Sequence, residues 1–183
     1  MLLRSFLVSL FLLPTSLAAA DSDASRCTGP TKGTVRVILD TSDGNACVGF
    51  VAAGKEHHFS RMISGTLLVS KDTKTVVAIE DYLPANLENK EIVAFVDGEK
   101  IANPRVLQIW HGGKRVRQYD VNRLVKDTTK VEESISHVRW VAQLPTSIDA
   151  TFKLITTSGR EITFDSKTGE ILTELQVPVP KRP

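Results

Sequence analysis

The sequence predicts an all-β domain, an antiparallel meander of sandwich or partial-propeller type with one short helical turn. Three observations lead there. Apolar, β-branched and aromatic residues come in short runs of strand length. Glycine- and aspartate-bearing turn signals separate many of these runs. Only one stretch, and a short one, shows helical periodicity.

In chain order, the first segment stands apart from the domain. Arg4 gives a positive start, residues 5–13 are almost continuously apolar, Pro14 breaks the run, and Ala18, Ala19 and Ala20 put small residues before Asp21. That is the layout of a secretory signal peptide cut near Ala20. The apolar run is too short to cross a hydrocarbon core of about 30 Å, so no stable membrane span is expected. A single β-rich domain is expected over 21–176, and a proline-rich extended tail over 177–183. Export also bears on Cys27 and Cys47. In an oxidising compartment they are expected to form a disulfide, which stabilises by about 3 kcal/mol for a loop of this length. Arg26 directly before Cys27 argues against a lipid anchor there.

Strands are expected over 34–39, 47–52, 56–60, 65–70, 75–80, 92–96, 106–110, 115–119, 137–143, 150–156, 161–164 and 171–177. Turn signals lie at Ser42-Asp43-Gly44-Asn45, Lys71-Asp72-Thr73-Lys74, Asp97-Gly98, His111-Gly112-Gly113, Ser158-Gly159 and Lys167-Thr168-Gly169. Asp120 is placed to cap a helical turn over 121–125, where Val121, Leu124 and Val125 share a face. The connections 81–91 and 126–136 are long and largely polar. In the tail, Pro178, Pro180 and Pro183 lack the amide donor that a central strand needs. A short pattern recurs at Gly98-Glu99-Lys100-Ile101, Gly113-Lys114-Arg115-Val116 and Gly159-Arg160-Glu161-Ile162, each after an apolar strand. A glycine turn, outward charges and an inward aliphatic side chain are what a hairpin requires.

The run Leu67-Leu68-Val69-Ser70-Lys71-Asp72, resumed by Thr75-Val76-Val77, resembles the strand, Ser-x-Asp, strand hairpin of β-propeller blades. The later order of Ile109-Trp110, Gly113, Tyr119-Asp120, Ser134-Ile135-Ser136-His137, Trp140, Phe164-Asp165 and Thr168-Gly169 is similar to exported bacterial proteins of unknown function. The resemblance covers roughly 67–172. It implies architecture and carries over no functional residue.

The formal net charge is +2, and loss of a leader whose only charge is Arg4 lowers it by one. Nucleic-acid binding, which depends on neutralising several phosphates, is not expected. His57 and His58 are neighbours in a strand, so their rings should face opposite ways and not share an ion. Asp81 and Glu88 lack the tight oxygen spacing of a calcium loop. No metal or other cofactor is expected. No serine lies in a nucleophile elbow, Ser136-His137 diverge in a strand, and Glu80-Asp81 and Glu132-Glu133 read as solvated carboxylates at strand ends. No catalytic group is expected.

Arg105, Lys114, Arg115 and Arg117 form a basic group, and Arg115 and Arg117, flanking Val116, are expected to share one strand face. Trp110 and Trp140 lie in apolar strands and are expected in the core. The expectation is an exported, periplasmic or secreted, non-catalytic binding protein, such as an inhibitor of another exported protein or a ligand of an envelope component. Its candidate binding residues are Arg115, Arg117, Trp110 and Tyr82. The alternatives are a small hydrolase of envelope glycan or peptide, which would require Glu80, Asp81, His111, Glu132 or His137 to converge, and a structural envelope component.

Overall fold

The computed structural model describes residues 35–40, 46–52, 54–63, 65–86, 91–96, 99–133 and 137–180. The expected leader, Cys27 and the turn signals at 42–45 and 97–98 lie outside the described residues. In chain order the strands are β1 Arg36–Asp40, β2 Ala46–Ala52, β3 Lys55–Ile63, β4 Thr66–Val69, β5 Thr75–Ile79, β6 Tyr82–Asn86, β7 Glu91–Val96, β8 Glu99–Ala102, β9 Arg105–His111 and β10 Lys114–Asp120. A single turn of helix, α1 Val121–Leu124, and a 3-10 turn, Thr128–Lys130, precede β11 Glu132–Glu133, β12 His137–Arg139, β13 Val141–Gln143, β14 Thr151–Thr156, β15 Arg160–Asp165 and β16 Ile171–Gln176. The strands pair antiparallel in four sheets, ordered β1-β2-β3, β10-β9-β5-β4, β11-β12-β6-β7-β8 and β13-β14-β15-β16. The protein is an all-β meander, as its sequence predicts.

The second sheet separates two cores. Along β5, Val77 and Ile79 pack into a larger core with Leu107, Ile109, Trp140 and Phe164. The alternate residues Val76 and Ala78 pack into a smaller one with Phe50, Phe59, Leu67 and Trp110. A strand covered on both faces cannot alternate apolar with polar, and β5 is accordingly apolar or β-branched throughout and buried at every position. In β14, by contrast, Phe152 and Leu154 point inward while Lys153 is exposed and bonds Glu161 at 2.9 Å. Phe152 stacks on Phe164 with centroids 4.9 Å apart.

Several local features differ from expectation, among them the added strands β8 and β11. The connection 81–91 contains a strand, β6, that pairs with both β12 and β7; its Leu83 is fully buried, while Pro84 interrupts the strand pattern in the sequence. The run 137–143 is two strands, divided at Trp140. There the chain passes from the third sheet to the fourth, and the Trp140 carbonyl accepts the Thr157 amide at 2.9 Å. At α1, Asp120 occupies the cap position but makes no side-chain cap bond. Asn103 takes that role from a distant turn: its Oδ1 accepts the Asn122 amide at 2.9 Å. Finally, Glu80 and Asp81 are buried, at 4% and 5% exposure, not solvated. They lie where the chain leaves β5 for β6, and the Trp140 indole donates to the Glu80 carbonyl at 2.5 Å. Burial pushes the Asp81 carboxyl above its ordinary value, a rise moderated by its own amide and by the charge of Arg139.

A second buried charge ties the C-terminal sheet to α1. The Arg160 guanidinium donates to the carbonyls of Leu124 and Arg123 and to Glu174. Glu174 also meets Arg123 at 2.6 Å and Lys126 at 3.7 Å. Burial raises the Glu174 carboxyl, but the hydrogen bonds of Arg123 and Arg160 outweigh it and hold the group below its ordinary value.

Candidate functional site

The β9–β10 ribbon supplies two different surfaces. Its turn, Gly112-Gly113, has φ of 56° and 76°, the positive pair that a two-residue I′ connection needs and that glycine adopts without strain. From the turn, Lys114 opposes His111 and Arg115 opposes Trp110; the register then slips, and Arg117 opposes Ile109. Val116 is the extra residue of a bulge. Trp110 and Ile109 face opposite sides of β9, so the bulge sends Arg115 and Arg117 to opposite sides as well. The shared basic face expected from simple alternation does not form.

Arg115 stands over the Trp110 ring, its Cζ 5.7 Å from the centroid, in cation–π geometry. Beneath it lies an aromatic floor. Trp110 meets Phe50 edge-on at 5.3 Å and lies 5.5 Å from His57, which stacks on Phe50 at 5.0 Å. His58 points away from this cluster, exposed beside Glu56, so the two histidines diverge as a strand dictates. Trp110 Nε1 and His57 Nε2 are buried with no hydrogen-bond partner among the described residues. Such unsatisfied polar atoms cost about 1–3 kcal/mol each and are rare enough to mark a place worth testing.

Arg117 is committed differently. Its Nη2 donates to Glu170 at 3.1 Å, and its stem passes close over Gly169, where a Cβ would collide with that of Arg117. Tyr82 stands in β6, in another sheet, with Arg139 5.8 Å over its ring. The structure thus joins Arg115 to Trp110, puts Arg117 on the opposite face and places Tyr82 elsewhere.

The other surface is a cleft of about 320 Å³, bounded by the turn after β4, the turn after β15 and the segment before β14. Ser70, Lys71, Asp72, Thr75, His111, Asp149, Ser166 and Lys167 line it, with Ile148 as an apolar wall. At its base His111 Nδ1 lies 2.9 Å from Thr75 Oγ1, and that hydroxyl also reaches the Ser166 carbonyl at 3.3 Å. If the hydroxyl proton goes to Ser166, Nδ1 is the donor and the neutral ring keeps its lone pair on Nε2. Asp72 Oδ1 accepts from Ser70 Oγ at 2.6 Å and from the Lys74 amide at 3.1 Å. The Ser70 bond above all, with the Lys74 amide, lowers the Asp72 carboxyl from its ordinary value. Lys71 pairs with Asp149 at 3.8 Å across two exposed side chains. Sequence reasoning missed this cleft because its walls come from turns far apart in the chain. The one local signal was the recurring turn chemistry itself, Ser-x-Asp at 70–72 and Asp-x-x-Thr-Gly at 165–169.

Glu80 and His111 sit at opposite ends of the β5–β9 pair, since the Glu80 amide bonds the Val106 carbonyl and His111 opposes Thr75. Five residues of strand separate them by roughly 16 Å. Glu132 meets Arg139 at 4.0 Å, and His137 opposes Pro84 in the third sheet. Among the described residues, no three of His, Cys, Asp and Glu converge on a point that could hold a metal ion, and no helix is long and apolar enough to cross a membrane.

No protein-family model matches the chain, and no solved structure matches it. The β subunit of the glycine–tRNA ligase of Rhodospirillum centenum is 30% identical over 137 residues, covering 72% of this chain and 18% of that protein. The chain therefore spans less than a fifth of that relative's length.

Proposed function

We propose that the protein is an exported, non-catalytic binding module whose β9–β10 ribbon engages another exported protein or an envelope component. The observation that carries this reading is the exposed Arg115 guanidinium resting on Trp110, with Phe50 and His57 beneath. An arginine held over a buried aromatic ring is a typical recognition anchor, because its approach is fixed while its donors face solvent. Arg117, already paired with Glu170, takes the minor part.

Export rests on the leader pattern of residues 1–20, with cleavage near Ala20 and a Cys27–Cys47 disulfide in the mature chain. The secreted protein should begin at Asp21 by intact mass and should resist thiol alkylation until reduced. The hydrolase alternative has less behind it, since its proposed groups are divided between the Glu80-Asp81 region and the distant His111. A purely structural role would leave the ribbon without a ligand. The test is quantitative capture from native extract with wild type and with Arg115→Glu plus Arg117→Glu. The reading requires loss of a saturable partner at an almost unchanged Tm; equal capture by both proteins would refute it.

A further inference from the structure

We propose that the cleft around His111 binds a small zwitterion, an amino acid or short peptide whose ammonium meets Asp72 and whose carboxylate meets Lys167. This site lies on a different surface from the Arg115 ribbon and stands or falls separately from it.

Several polar groups of the cleft are already engaged within the fold. Ser70 Oγ gives its one proton to Asp72 and accepts the Thr75 amide at 2.9 Å, so it has no donor left for a ligand. Thr75 Oγ1 is shared between His111 and the Ser166 carbonyl. Asp149 has one oxygen on Lys71 and the other on Ser147 at 3.2 Å. The Lys167 amide donates to Asp165 at 2.8 Å; its ammonium makes no hydrogen bond or ion pair among the described residues, and its charge acts only at longer range, on Asp165. Asp72 uses only Oδ1, which leaves Oδ2 without a protein donor among those residues. His111 uses only Nδ1.

The groups left unused thus include one carboxylate oxygen on the turn after β4, one ammonium on the turn after β15 and one imidazole nitrogen at the end of β9, all lining the same cleft. With Lys71 and Asp149 cancelling, the cleft is dipolar with no net charge, which disfavours a simple anion or cation and suits a ligand carrying both signs. Asp72 is held ionised by its hydrogen bonds, as an ammonium partner must be. The volume of about 320 Å³ is at the small end of ligand sites, and Ile148 offers apolar contact to a side chain or Cα.

The probe is alanyl-alanine, titrated calorimetrically into the mature chain beside its N-acetylated form, its C-terminal amide and inorganic phosphate. The site predicts saturable one-to-one binding of the free dipeptide and weakening of at least about tenfold for each blocked form. Asp72→Asn keeps the Oδ1 acceptor that shapes the turn and removes the charge; Lys167→Gln removes the opposite one. Each should weaken the free dipeptide about tenfold, with Tm nearly unchanged, while Lys153→Gln, outside the cleft, should not. Equal binding of free and blocked peptides, binding of phosphate alone, undiminished binding by both cleft variants, or no saturation up to about 10 mM would each overturn the proposal.

Discussion

Two arginines show how the same side chain serves opposite ends in this molecule. Arg160 is buried, and its donors are spent on two main-chain carbonyls of the α1 segment and on Glu174 of β16. Arg115, on the ribbon, is exposed and touches the fold through one indole ring. The first holds three elements together and has little left to offer a ligand. The second holds nothing in place, so its donors are available to a partner. A basic residue is thus a recognition candidate in proportion to how few of its donors the fold has consumed.

The largest effect should come from Arg160→Leu. Removing the cation leaves Glu174 and the Leu124 carbonyl partly buried with fewer donors, a loss of about 3–5 kcal/mol, readable by urea denaturation. A loss under about 1 kcal/mol would show that the buried arginine is not the tie it is taken to be.

Asp81→Asn comes next and separates the two kinds of buried charge by their pH response. The Asp81 carboxyl is raised by burial, so the folded state holds its proton more tightly than the unfolded chain. Wild-type stability from this group is fullest below the unfolded pKa and falls as pH rises through the folded one. The asparagine variant should lose that fall and gain on wild type as pH rises above the ordinary carboxylate range. Glu174 has the opposite sign: its contribution is present above the unfolded value and is lost as pH drops through the lowered one, so Glu174→Gln should narrow its deficit on acidification.

Arg117→Ala removes a solvent-exposed pair and should cost about 0.5 kcal/mol, decreasing with salt. Arg115→Ala gives up only a cation–π contact at the surface, also about 0.5 kcal/mol at most, and should be the mildest of all in Tm.

What could be read from the chain follows the same division between local and distant causes. β5 and β14 were legible because burial on both faces, or on one, writes itself directly into adjacent residues. The helical turn at 121–124 was legible from Val121 and Leu124, but its cap was not, since Asn103 is brought to it by the fold. β6 was hidden by Pro84, and the break at Trp140 by a run of strand-like residues that continues through it. The Val116 bulge, which sets Arg115 apart from Arg117, leaves no mark in an alternating charge pattern. Glu80-Asp81 resembled an exposed strand end because nothing nearby in sequence announces the Trp140 bonds that cover them.

Recognition is assigned to Arg115, which has no carboxylate partner among the described residues, and not to Arg117, which is paired with Glu170. The most direct test of this assignment is capture of the same partner by Arg115→Glu and Arg117→Glu prepared singly at matched concentration. Arg115→Glu should lose most of the captured material while Arg117→Glu retains most of it. Equal retention by both, or loss with Arg117→Glu alone, would contradict it.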